Sequence, residues 1–68
     1  MKTVTIRDEF IKLGQVLKLA GAVDTGSEAK EVITEGLVKV NGETELRRGR
    51  KCVPGDRILY RGDEIEIR

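Results

Sequence analysis

Residues 25–42, TGSEAKEVITEGLVKVNG, decide the fold because their hydrophobic period changes partway along the stretch. Its first part spaces Ala29, Val32 and Ile33 as one face of a short helix. That helix is expected to end at Gly36, after which two valines alternate with polar side chains, as in a half-buried strand. The Asn-Gly pair that follows is the strongest short signal for a hairpin turn. The stretch therefore predicts a helix, a strand and a tight turn.

A second helical pattern lies near the N-terminus. Apolar residues from Phe10 to Leu17 recur at helical spacing, and Asp8 is a good N-cap for a helix that starts after it. We therefore predict a first helix over residues 9–20. The alternating residues 3–7 predict a strand before it.

The rest of the chain predicts short strands joined by turns. Pro54 and Gly55 suit the second and third positions of a turn, and Ile65 and Ile67 alternate with glutamates, so that one strand face is solvated. We predict strands at residues 37–40, 43–46, 57–60 and 64–67, with an exposed basic loop at 47–51. The predicted fold class is α+β, with two helices packed on a small, bent, mostly antiparallel sheet in a single domain of residues 1–68.

Length and composition exclude several kinds of active site. A chain of 68 residues buries only about 60 % of its unfolded surface, which leaves no room for a deep catalytic cavity beside a core. The chain has no histidine and one cysteine, so it lacks the usual zinc ligands and the Ser-His and Cys-His pairs of nucleophilic catalysis. It contains no Walker-type phosphate loop. We therefore expect no enzymatic activity, no metal and no cofactor.

The single cysteine also bears on location. Cys52 begins an apolar stretch, which favours a small buried core residue over a thiol activated by the neighbouring Lys51. A small secreted domain usually needs several disulfides, and this chain cannot form one internally. No apolar run approaches the roughly 20 residues that span a bilayer, and the N-terminus lacks the apolar core of a signal peptide. We therefore expect a cytoplasmic protein without membrane contact.

Positive charge is concentrated in one segment. The formal net charge is only +1, but residues 37–51 hold five basic and two acidic side chains. The segments on either side each hold one more acidic than basic residue. A local basic patch can bind phosphate although the whole molecule is nearly neutral.

Residues 38–42, Val-Lys-Val-Asn-Gly, follow a helix that carries Ala29 and Lys30. This arrangement resembles the S4-type RNA-binding domain, or alpha-L motif, and is most similar to the short stand-alone S4-like proteins of bacteria. Residues 12–14, Lys-Leu-Gly, stand where that family has Arg-Leu-Asp. Residues 25–26, Thr-Gly, stand where the family has Ser-Arg, so one guanidinium that would face phosphate is missing.

The resemblance implies a module that recognises structured RNA, ribosomal or transfer, through phosphate and shape contacts, in association with the ribosome. Scarce aromatic residues argue against base stacking along single strands. The ribosome or an RNA-processing protein would be a further partner, and we expect a monomer. The resemblance and the basic segment together predict these RNA-binding residues: Lys12, Thr25, Lys30, Lys39, Asn41, Arg47, Arg48, Arg50 and Lys51.

Other functions stay open. A protein–protein adaptor without direct RNA contact is the main alternative, and the module could also position a separate enzyme. The C-terminal strand is similar to that of ubiquitin-like sulfur carriers, which end in Gly-Gly. This chain ends in Ile67-Arg68, which offers no such carboxylate for activation.

Overall fold

The computed structural model describes residues 1–68 and contains two helices and seven short strands. Neither helix is long and apolar enough to cross a bilayer. In chain order the elements are β1 (Lys2–Val4), β2 (Ile11–Lys12), α1 (Leu13–Leu19), α2 (Gly26–Thr34), β3 (Val38–Val40), β4 (Glu43–Thr44), β5 (Lys51–Cys52), β6 (Arg57–Tyr60) and β7 (Asp63–Ile67).

Five strands form one sheet in the order β1-β7-β6-β3-β4. All neighbours in it are antiparallel except β1 and β7, which run parallel with Val4 opposite Ile67. Strands β2 and β5 form a separate antiparallel pair, in which Lys12 lies opposite Lys51. The predicted α+β class, two helices with a mostly antiparallel sheet, is confirmed.

One core of 16 buried residues, nearly all of them aliphatic, joins the two helices, the inner sheet face and the β2–β5 pair. Leu13 and Leu17 of α1 and Ile33 of α2 are fully buried, as are Ile58 and Ile65 of the sheet. Each such side chain contributes about 1.5–3 kcal/mol by leaving water. This aliphatic core is what holds α1 and α2 against the sheet.

The first helix starts later than predicted. The expected helix over residues 9–20 is wrong at its beginning, because β2 pairs with β5 and α1 begins only at Leu13. Lys12 is the N-cap and supplies no side-chain cap, so Asp8 does not cap this helix. Phe10 lies outside the helix and is 37 % exposed. The first strand is likewise shorter than the predicted residues 3–7.

The second helix follows its sequence signals closely. Thr25 is its N-cap, and the Thr25 hydroxyl accepts a 3.1 Å hydrogen bond from the backbone N–H of Glu28. Beyond the helix, Gly36 has a φ of +79°, a conformation that favours glycine and lets the chain turn into β3. The helix ends at Thr34 with Glu35 as its C-cap, two residues before the predicted end at Gly36.

Cys52 is fully buried in the core, as predicted. Burial raises the pKa of the Cys52 thiol to about 11, and the nearby carboxylate of Asp56 adds to the effect. The thiol therefore stays protonated at neutral pH, and Cys52 is a core residue and not a nucleophile.

The turn between β3 and β4 is tied to a second turn by one side chain. Asn41 and Gly42 have φ of 52° and 86°, as a type I′ turn requires. The side-chain oxygen of Asn41 accepts a 3.0 Å hydrogen bond from the N–H of Arg57, and its amide nitrogen donates one of 3.0 Å to Asp56. Asp56 also accepts from the N–H of Val53 at 2.9 Å. The amide of Asn41 therefore joins the hairpin to the turn of residues 53–56.

We expect Asn41→Ala to lower the free energy of unfolding by about 1–2 kcal/mol, since it removes two hydrogen bonds. Arg61→Ala is the matched control, because Arg61 has the same φ of 52° in the turn after β6. Arg61 makes no side-chain hydrogen bond, and its guanidinium lies 6.0 Å from the centre of the Tyr60 ring, at the outer limit of a cation–π contact. Urea unfolding followed by circular dichroism measures the free energy of unfolding of both variants. Equal losses would mean that the backbone conformation of Asn41 matters and its amide does not.

Candidate nucleic-acid interface

The start of α1, the start of α2 and the loop before β5 enclose a shallow groove of about 330 Å³. Three basic side chains line it, those of Lys12, Lys18 and Arg48. The rest of its wall comes from Gln15 and three glycines, so no hydrophobic side chain lines the groove. We call this surface the basic groove.

Backbone hydrogen bonds bring the loop onto α1. The N–H of Leu13 donates to the carbonyl of Arg50 at 2.9 Å, and the N–H of Gly14 donates to that of Arg48 at 3.1 Å. A Cβ at Gly14 would lie 3.7 Å from the Arg48 carbonyl oxygen and 3.9 Å from the Cβ of Ala29. Gly14, where the resemblance expects aspartate, is therefore the point where α1, α2 and the loop meet.

The basic side chains of the groove have no acidic partners. The four ion pairs of the protein involve neither Lys12, Lys18 nor Arg48. Lys12 also lies directly opposite Lys51 across the β2–β5 pair, and like charges at such positions repel. Uncompensated positive charge in a polar groove is suited to binding an anionic ligand.

A buried carboxylate fixes the loop behind the groove. Glu45 accepts from Arg50 Nη1 at 2.9 Å and from Arg47 Nε at 3.3 Å. The same carboxylate accepts from the backbone N–H groups of Leu46 and Arg47, at 3.0 and 3.2 Å. Hydrogen bonds from Arg50 and then Arg47 lower the pKa of Glu45 from 4.5 to about 2. Glu45 thus stays ionised and holds the loop.

The prediction of an exposed basic loop at 47–51 is wrong at Arg50. Its side chain is 32 % exposed and its charge is paired with Glu45, whereas the Arg47 side chain is 79 % exposed although it contacts the same carboxylate. Arg48 is exposed and unpaired, and Lys51 belongs to β5. The sequence predicted that all the basic residues of this loop bind RNA, whereas Arg50 forms an ion pair that stabilises the fold.

Lys30 and Thr25 lie at the α2 side of the groove. Lys30 is exposed and follows Gly26, which lines the groove, by one helical turn on the same face of α2. It therefore extends the basic surface along the helix. The Thr25 hydroxyl is engaged as the N-cap, so its identity has a structural reason.

Lys39 and Asn41 do not join the groove. Lys39 lies between Thr44 and Leu59 on the outer face of the sheet, opposite the face that carries the helices. Asn41 lies at the hairpin turn with its amide committed to Asp56 and Arg57. The structure therefore brings Lys12 and Arg48 together in the groove, with Lys51 opposite Lys12. Arg47, Arg50 and Lys51 line a second recess that shares Gly49 with the groove.

Sequence reasoning missed two residues of this site. Lys18 lines the groove and follows Gly14 by four residues, so helical spacing could have placed it on that face. Glu45 had no such signal, since nothing local distinguishes it from the exposed Glu43 of the same hairpin. Its role depends on a loop that folds back on it.

Comparison with known proteins finds the same domain. The family described as the S4 domain matches residues 4–68. The chain is 45 % identical over 64 residues to the "Probable ribosome maturation protein RlbA" of Bacillus subtilis (strain 168), over 94 % of this chain and 80 % of that relative. A tyrosine–tRNA ligase of Idiomarina loihiensis is 39 % identical over 59 residues, which are 87 % of this chain but 15 % of the ligase.

A solved structure has the same fold. The solution structure of YbcJ from E. coli, described as revealing an alpha-L motif involved in RNA binding, superposes with a TM-score of 0.76. The two chains are 34 % identical, and the match covers 98 % of this chain and 86 % of YbcJ.

Proposed function

This chain belongs to the S4 domain family, and on that premise we propose that it binds structured ribosomal or transfer RNA through phosphate and shape contacts. The observation that carries the proposal is the basic groove, where Lys12, Lys18 and Arg48 converge without acidic partners. The relative named as a ribosome maturation protein favours ribosomal RNA and association with the ribosome.

The shape of the site favours folded RNA. An A-form duplex offers rows of phosphates beside a wide minor groove, and proteins read it mainly through backbone contacts. The basic groove is shallow and lacks hydrophobic side chains, and Lys30 and Lys51 extend its charge on two sides. Such a surface can follow a phosphate row without reading a long sequence. We expect a monomer that acts in the cytoplasm and needs no catalytic group.

Filter binding across a salt series tests this function. With a ribosomal RNA fragment and a transfer RNA of equal length as probes, we expect log K to fall with log salt with a slope of about −3 to −4. Each phosphate contact contributes about 0.7–0.9 to that slope, and four or five basic side chains are available. A slope near zero with both probes would contradict the proposal.

An adaptor function rests on a different surface. Leu37 and Leu46 are 50 % and 56 % exposed, and both lie beside Gly36, where a Cβ would be 3.9 Å from the Leu46 side chain. Affinity purification with and without nuclease separates the two functions. Protein partners that survive nuclease and are lost on Leu46→Ser would favour the adaptor.

A further inference from the structure

A cleft of about 400 Å³ adjoins the basic groove, between α1 and the segment of residues 5–11. Phe10 and Leu19 supply apolar surface there and are 37 % and 69 % exposed. Gln15 and Lys18 line the cleft and the basic groove alike. The cleft therefore adds exposed hydrophobic side chains to a positive surface that has none.

The backbone next to the aromatic ring of this cleft is anchored to the core. Phe10 directly precedes β2, whose Ile11 is paired with Cys52 of the core. The Lys51 ammonium lies 4.8 Å from the centre of the Phe10 ring, at cation–π distance. An exposed ring beside several unpaired cations combines the two groups that bind one nucleotide, a stacking surface for its base and positive charge for its phosphate.

We propose that this cleft takes one unpaired nucleobase of the RNA whose phosphates lie in the basic groove, an inference that rests on the proposed function. Charge favours this occupant, because Arg7 and Lys18 at the cleft are positive and would lie near the phosphates of the extruded nucleotide. Asp8 is the carboxylate of the cleft and only accepts hydrogen bonds. It favours a base edge that presents donors, such as the N1–H and amino group of guanine.

The proposal concerns a single base. Phe10 and Tyr60 are the two aromatic residues of the chain, and Tyr60 is buried in the core. A row of stacked bases is thus excluded, whereas one bulged nucleotide beside a duplex fits a groove that binds phosphates and a cleft that binds a base.

A pair of RNA hairpins tests the cleft. One carries a single bulged guanosine, and the other has an abasic nucleotide at the bulge, so the two match in phosphates and in shape. We expect the protein to bind the guanosine hairpin about tenfold more tightly, from stacking of one base. Phe10→Leu should abolish this preference and leave affinity for the abasic hairpin unchanged. Leu59→Ala is the control, since Leu59 is 39 % exposed on the outer sheet face.

Each result separates the cleft from the groove. Equal affinity of the unmodified protein for the two hairpins would overturn the proposal that the cleft binds a base, and would leave the proposed RNA-binding function standing. Phe10→Leu that weakens both hairpins equally would also overturn it, because the ring would then support the fold or the groove. Binding to neither hairpin would overturn the proposed function, and the cleft proposal with it.

Discussion

Replacing both Lys12 and Arg48 by glutamate should weaken binding to structured RNA by at least about a hundredfold. Both side chains line the basic groove without acidic partners, so the double variant removes two attractions and adds two repulsions. If each of these four changes is worth about 1 kcal/mol, the loss is about 4 kcal/mol, or several hundredfold. The salt slope should also fall by about 1.4–1.8, the value for two phosphate contacts.

A matched variant separates local from net charge. Lys39→Glu with Arg61→Glu changes the net charge equally, but Lys39 lies on the outer sheet face and Arg61 in the turn after β6. We expect this variant to keep affinity within a few fold. Similar losses of affinity in the two variants would mean that RNA binding depends on the net charge of the protein and that the basic groove is not the RNA-binding site.

Loss of binding in the groove variant should not come from unfolding. Lys12 is exposed and lies opposite Lys51, so a glutamate at position 12 replaces a like-charge pair with an opposite-charge pair. Arg48 is exposed and makes no side-chain hydrogen bond that a substitution would break. Exposed substitutions of this kind change stability by about 0.5 kcal/mol or less. Thermal unfolding of the variant should therefore match that of the unmodified protein.

The elements predicted best are those that local chemistry determines. Asn41-Gly42 specifies its turn because both residues tolerate positive φ, and Thr25 specifies a helix start through its own hydroxyl. The start of α1 could not be found in this way. Phe10 continues the helical spacing, but the next residue, Ile11, pairs with Cys52, some forty residues further along the chain. Strand pairing between residues so far apart in the sequence leaves no local signal.

The candidate site, too, could be predicted only in part from the sequence. Its character, a local excess of lysine and arginine, is visible in the sequence, and the fold brings Lys12 and Arg48 together. Which cations are free depends on tertiary contacts. Arg50 is paired with Glu45 while Arg48, two residues earlier, is not, and a count of charges cannot distinguish them. Roles of individual residues therefore needed the structure.

Glu45→Gln should remove about 2–3 kcal/mol of the free energy of unfolding at pH 7. The Glu45 side chain is only 10 % exposed, and its pKa is lowered from 4.5 to about 2, chiefly by the hydrogen bond from Arg50. In the variant Arg50 stays half-buried without its partner, and its Nε already lacks one. Domains of this size have about 3–10 kcal/mol in all, so the loss is a large fraction. Urea unfolding gives the value.

The pH dependence of stability gives an independent test of the same residue. A carboxyl whose pKa is lower in the folded state stabilises fully above its unfolded value, and this contribution is lost as the pH falls through the folded one. The contribution of Glu45 should therefore fade between about pH 5 and pH 2, and the difference between protein and variant should shrink over that interval. Glu43→Gln is the control, because Glu43 is exposed on the same hairpin and should change stability by less than about 0.5 kcal/mol. A difference that persists unchanged at pH 2 would mean that the Glu45 side chain acts by packing and not by its charge.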